Sequence, residues 1–147
     1  MTAAAHAADR TRDLAGVAAA HRRLLAVVDR LDDDAARGPS LLPGWSVGHV
    51  LTHIARNADA NAGVLAAAEL GDVVPMYPSM EARNADIESG SSRRAADLVD
   101  DVRSSAARFE QQAAATGVEE PRDGDAAQVE GKKAVECEGC AASHGDR

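Results

Sequence analysis

The sequence has very few aromatic residues. Trp45, Tyr77 and Phe109 are the only ones among 147 residues, about 2% of the chain. A hydrophobic core must therefore be built from Leu, Val, Ile and Ala. Alternating runs of β-branched residues, which would indicate strands, are also absent. Because alanine-rich segments strongly favour helix, the composition predicts an all-α fold.

Cysteines and long apolar runs are equally scarce. Cys137 and Cys140 are the only cysteines and lie close to the C-terminal end, which excludes the disulfide framework of a small secreted domain. No apolar run approaches the length that spans a membrane, and residues 1–10 lack the apolar segment of a signal peptide. We therefore expect a cytoplasmic protein without membrane partners.

Positive charge is the third deficit. The chain has 24 acidic and 16 basic residues and a formal net charge of -8. Nucleic acids and anionic membranes bind clustered cations, so this balance argues against both as partners. A small-molecule substrate remains the expected partner.

Apolar residues spaced three and four apart predict four helical segments, over residues 11–31, 47–70, 80–89 and 93–115. Residues 32–34 and 38–39 are expected to end the first. The predicted apolar faces are Leu14, Val17, Leu24, Val28 and Leu31 with His21 in the first segment, Val47, Val50, Ile54, Leu65 and Ala68 in the second, and Leu98, Val102, Ala106 and Phe109 in the last. Two prolines make residues 73–79 an extended linker. Beyond Thr116 the chain contains no Leu, Ile, Phe or Met, and such a segment cannot bury enough apolar surface to become ordered. We therefore divide the chain into a flexible N-terminus (1–10), a helical domain (11–115) and a polar tail of low order (116–147).

The start of the second helix is the most informative segment. Ser46 is a good N-cap, and Trp45 before it is placed to pack on the helix. The polar residues His49, His53, Asn57 and Asn61 follow at intervals of four and share one helix face. A polar stripe of this kind either faces solvent or lines a site.

Three segments together carry a resemblance to a known family. They read SLLPGWSVGHVLTHIARNAD (residues 40–59), PMYPS (75–79) and EARNADIESG (81–90). Over residues 11–115 the chain resembles the N-terminal metal-binding domain of the mycothiol-dependent maleylpyruvate isomerase family. The resemblance implies a DinB-like up-down four-helix bundle.

The same resemblance implies a reaction and a site. A divalent metal, usually zinc, is held by two histidines and one glutamate, with one position left open for chemistry. Mycothiol, the thiol cosubstrate, is activated there and adds to the double bond of maleylpyruvate. The resulting single bond rotates, and elimination of the thiol yields fumarylpyruvate. His53, in the motif Leu51-Thr-His-Ile-Ala55, matches the first metal ligand. No other catalytic or cofactor-binding residue of this chain can be named from the resemblance.

The family's remaining ligands are a glutamate and a histidine one helical turn apart, on a helix expected beyond Ala115. Residues 117–125 contain no such pair, and Pro121 and Gly124 oppose a helix there. We therefore expect a truncated bundle, an incomplete metal site and doubtful activity. Helix surfaces left uncovered would promote self-association.

Several residues have two interpretations. His49 could chelate a metal with His53, although a residue serving the helix start is the simpler reading. His21 is either a hydrogen-bonded core histidine or a wall of the metal pocket. Asn57 could position His53, and Arg56 with Asp59 reads as a surface ion pair of small value.

Three functions remain open at this stage. The chain is a mycothiol-dependent isomerase or related thiol transferase, or a non-catalytic helical fragment that has lost its metal site. The third possibility is a small zinc or redox module formed by Cys137, Cys140 and His144, which have the spacing C-x-x-C-x-x-x-H.

Overall fold

Five helices make up the part of the chain that the computed structural model describes, residues 3–116, with side chains from residue 8 onward. The prediction of an all-α fold is confirmed, since this part contains no β-strand beyond an isolated bridge between Pro39 and Ser46. The helices are α1 (Ala3–Val28), α2 (Asp33–Arg37), α3 (Val47–Glu69), α4 (Met80–Ser91) and α5 (Ala95–Ala115).

The predicted segments correspond to the four longer helices, with differences at their ends. Helix α1 begins at Ala3, because the alanine-rich start of the chain favours helix. It therefore includes residues 3–10, which were predicted to belong to a flexible N-terminus. The short helix α2 was not predicted. Asp32, expected to help end the first helix, instead caps α2, where its Oδ1 accepts from the backbone N–H of Ala35 at 2.8 Å.

Helix α5 lies at the centre of the packing and contacts both α3 and α1. Its predicted apolar positions Leu98, Val102 and Ala106 are buried. The main hydrophobic cluster combines residues of four helices. Its buried members are Val28, Ala36, Leu51, Ala55, Ala95, Leu98, Val99 and Val102.

Helix α3 buries a different set of residues from the apolar face predicted for it. The buried residues are Gly48, Leu51, Thr52 and Ala55, whereas the expected Val50, Ile54 and Leu65 are only half-buried. The reason is that α3 packs against α5 on one side and α4 on the other, so small residues occupy the contact.

Two glycines permit the close approach of α3 and α4. A Cβ atom on Gly48 would overlap the carbonyl oxygen of Ser91, and one on Gly90 would overlap the side chain of Thr52. Both positions therefore need glycine for space, although neither has an unusual backbone conformation.

Charged residues join α3 to the start of α5. Asp101 accepts from Arg56 at 2.6 Å and from Arg93 at 2.7 Å. The predicted ion pair between Arg56 and Asp59 is present at 3.0 Å. Asp59 also accepts from Arg108, so the pair belongs to a network between α3 and α5. The small value expected for the pair stays a prediction.

Helix α1 is only partly covered by the rest of residues 3–116. Of its apolar stripe, Val28 is buried, while Leu14, Val17 and Leu24 are half-buried. Self-association through such surface stays a prediction.

Within residues 3–116, no helix combines the length and the apolar character needed to cross a membrane.

Several expectations concern residues outside the described part. They are the low order of residues 117–147, the zinc or redox module of Cys137, Cys140 and His144, and the absence of a further ligand-bearing helix.

Candidate active site between three helices

A cavity of about 330 Å³ opens between α1, α3 and α5. The polar stripe predicted on α3 forms one wall, since His53, Asn57 and Asn61 line the cavity, while His49 does not. The lining is otherwise mostly apolar, a combination typical of small-molecule sites. The lining residues are Val17, His21, His53, Ile54, Asn57, Ala58, Asn61, Val102, Ser105, Ala106 and Phe109.

The start of α3 fixes the position of His53 through a capping box. Ser46 Oγ accepts from the backbone N–H of His49, and the Nδ1 atom of His49 accepts from the backbone N–H of Ser46 at 3.2 Å. The Ser46 N-cap is thus confirmed. His49 Nε2 donates to Glu88 Oε2 at 3.1 Å, so both of its ring nitrogens serve the helix start and its contact with α4.

Trp45 contacts the rings of both histidines. Its ring lies edge-on to that of His53 with centroids 5.7 Å apart, and 6.0 Å from that of His49. Trp45 is half-buried and lies beside His53, but it is not part of the buried core and does not line the cavity.

His53 has a cationic neighbour. Arg83 Nη2 lies 3.2 Å from His53 Nδ1, and a guanidinium can only donate, so Nδ1 is the acceptor and the neutral imidazole carries its hydrogen on Nε2. Burial, followed by the positive charge of Arg83, holds the pKa of His53 below its ordinary value of 6.5.

The linker before α4 places Tyr77 at this site. The Arg83 guanidinium lies over the Tyr77 ring, 5.7 Å from its centroid. Asn57 donates to the Tyr77 hydroxyl at 3.2 Å. Asn57 was expected to position His53, but its amide instead connects α3 to the linker through Tyr77.

His21 joins the site from α1. Its Nδ1 lies 2.6 Å from Glu110 Oε1 on α5, and its ring packs edge-on against Phe109 with centroids 6.3 Å apart. His21 is therefore hydrogen-bonded and lines the cavity, but it is half-buried and not part of the core. Its place beside a metal stays a prediction.

The residues of this site do not by themselves fit a metal ion. Among residues 3–116 there is no group of three His, Cys, Asp or Glu side chains placed to hold one. Arg83 also occupies the Nδ1 atom of His53, and the other nitrogen carries hydrogen. A neutral imidazole binds metal only through an unprotonated nitrogen, so Arg83 would have to move before His53 could act as a ligand.

Sequence reasoning missed three residues of the site: Arg83, Tyr77 and Glu110. Arg83 and Tyr77 fall within segments that carry the family resemblance, which was their only signal. No sequence pattern pointed to Glu110, because its partner His21 lies 89 residues away along the chain.

Comparisons with known proteins identify the family of this chain. The sequence profile of the mycothiol maleylpyruvate isomerase N-terminal domain matches residues 17–134. The fold and the match define a helical domain of the thiol-dependent isomerases. This chain belongs to the mycothiol maleylpyruvate isomerase N-terminal domain family.

Two solved structures are similar to the chain. One is the mycothiol-dependent maleylpyruvate isomerase, and the other is a variant of that enzyme with histidine replaced by alanine. Each is 28% identical, with a TM-score of 0.71, and the match covers 74% of this chain and 45% of the solved chain. The chain thus spans less than half the length of that enzyme. No curated protein matches it.

Proposed function

We propose that this chain is the helical domain of a mycothiol-dependent isomerase, and that the cavity between α1, α3 and α5 receives mycothiol and a small unsaturated keto acid such as maleylpyruvate. The observation that carries the proposal is the joint lining of this cavity by His53, Asn57 and Asn61 of α3 and His21 of α1. Family membership supplies the thiol and the reaction class.

The described residues suit such ligands. The apolar side chains of α1 and α5 exclude water, while the side-chain amides of Asn57 and Asn61 offer hydrogen bonds to polar groups of a substrate. Arg83 is the nearest cation to His53 and has no carboxylate partner within residues 8–116 at ion-pair distance. A guanidinium in this position is suited to bind the carboxylate of a keto acid.

His53 is proposed as one ligand of a zinc ion. The remaining ligands would come from outside residues 3–116 or from a second chain, since the described residues do not provide them. A bound zinc ion would supply Lewis-acid activation of the thiol.

Metal content of the purified protein tests this proposal. We expect near-stoichiometric zinc in the wild type and in His49→Ala, and loss of zinc in His53→Ala, because His49 is occupied by the helix cap. Zinc that persists in His53→Ala and disappears in Cys137→Ala would indicate the C-x-x-C segment instead.

A non-catalytic helical domain is the second candidate, and one observation favours it. Arg83 donates to the nitrogen of His53 that a metal would need, as expected for a site that no longer binds metal. The absence of zinc from all of these proteins, together with no isomerase activity on maleylpyruvate in the presence of mycothiol, would establish this second function.

A further inference from the structure

A histidine and a carboxylate from two different helices form a close pair at the cavity. His21 Nδ1 on α1 lies 2.6 Å from Glu110 Oε1 on α5, and the side chains are 20% and 38% exposed. An ionised carboxylate can only accept, so in neutral His21 the hydrogen is on Nδ1 and the lone pair is on Nε2.

The free nitrogen of His21 is available to molecules in the cavity. His21 lines the cavity and Glu110 does not. Because Nδ1 of His21 is bonded to Glu110, Nε2 is the ring nitrogen left to accept a hydrogen from a ligand in the cavity. The edge-on contact with Phe109 helps to fix the ring plane. Nε2 is therefore placed to accept a hydrogen from a bound ligand.

The two histidines of the cavity have opposite roles in hydrogen bonding. His53 accepts from Arg83 at Nδ1 and so presents an Nε2 hydrogen, whereas His21 donates at Nδ1 and presents an Nε2 lone pair. His21 is thus the cavity histidine with an acceptor nitrogen left open, whereas His53 is the proposed metal ligand.

We infer that His21 is the proton acceptor for the thiol bound in this cavity, and that Glu110 positions its ring. The inference rests on the proposed function. The S–H bond breaks with its electron pair left on sulfur, and the proton moves to Nε2 of His21. When the sulfur is expelled from the substrate, the same proton returns to it, so the cycle consumes no proton and needs no further reactant.

Imidazole NMR with ¹⁵N-labelled histidine tests the inference directly. At about pH 8, above the usual histidine pKa, we expect His21 to carry hydrogen on Nδ1 alone in the free protein. On addition of mycothiol, His21 should become protonated on both nitrogens, in step with the ultraviolet absorbance of the bound thiolate. Arg37→Met, which removes a pair with Asp33 on α2, serves as a control that should leave both signals unchanged.

Two variants separate the roles of the pair. His21→Gln should bind mycothiol without producing the thiolate signal. Glu110→Gln keeps an acceptor of the same shape but removes the charge, so it should keep the Nδ1 hydrogen. The bound thiolate fraction should fall by about tenfold, because a neutral partner forms a weaker hydrogen bond than a charged one. Glu110→Asp should restore part of that fraction.

The outcomes distinguish this inference from the proposed function. Mycothiol that binds the wild type without protonating His21, or a His21 that carries its hydrogen on Nε2, overturns the inference alone. A wild-type protein that does not bind mycothiol at all overturns the proposed function, and the role of His21 falls with it.

Discussion

Arg83 donates to His53 across the contact between α4 and α3, with Nη2 of the guanidinium 3.2 Å from Nδ1 of the imidazole. The guanidinium is held in place by the Tyr77 ring and by Asn84, whose Oδ1 accepts from Arg83 Nη1 at 2.9 Å. One arginine thereby controls the tautomer of the proposed metal ligand and contributes to its pKa.

Replacing Arg83 by methionine should raise the pKa of His53. The substitution removes the positive charge that disfavours the imidazolium, while burial, the larger cause, continues to hold the pKa below 6.5. NMR titration of the His53 ring measures the change. Arg37→Met is the matched control, because Arg37 pairs with Asp33 on α2. An unchanged pKa in Arg83→Met, or an equal rise in the control, would contradict the assignment.

The lowered pKa of His53 makes the stability of the fold depend on pH. Below about 6.5 the histidine of the unfolded chain binds a proton more readily than His53 in the folded protein. The free energy of unfolding should therefore fall as the pH drops from about 6.5 through the lower pKa of the folded state. Urea unfolding of wild type and His53→Gln at several pH values isolates this contribution. The two proteins should diverge in that window, and parallel profiles would refute the effect.

Gly48→Ala should destabilise the domain by about 1–3 kcal/mol, the usual cost of overpacking, because the new methyl group would overlap the carbonyl oxygen of Ser91. Gly63→Ala tests the same change on the same helix, where nothing lies within 4 Å. It should stabilise the protein by about 0.5–1 kcal/mol through helix propensity. Thermal and urea unfolding measure both. Similar effects at the two positions would mean that α3 and α4 do not meet as closely as described.

Asp101→Asn should cost about 1–3 kcal/mol of stability, since the carboxylate is 14% exposed. The amide has no charge and only one acceptor oxygen, so one of Arg56 and Arg93 would face a donor NH2 group. Asp100→Asn, one residue earlier, removes an exposed pair with Arg103 and should change stability by no more than about 0.5 kcal/mol. Urea unfolding at moderate and high salt compares them. Equal costs for the two variants would show that the interhelical network contributes no more than a surface pair.

The sequence by itself determined the helical fold and the start of α3. Alanine-rich composition and apolar spacing act within a few turns of chain, so the four longer helices could be read directly, as could the Ser46 cap. The family segments indicated membership of the mycothiol maleylpyruvate isomerase family, which the family match confirmed. They also named His53 as a metal ligand, which stays a prediction.

Only the tertiary structure decided which faces of those helices meet. The pair of His21 and Glu110 spans 89 residues, and that of Arg83 and His53 spans 30. Helical periodicity places a side chain on a face but carries no information about the partner helix opposite. Packing of α1 and α3 on α5 therefore set the cavity and paired His21 with Glu110. The close approach of α4 to α3, permitted by Gly48, placed Arg83 at His53.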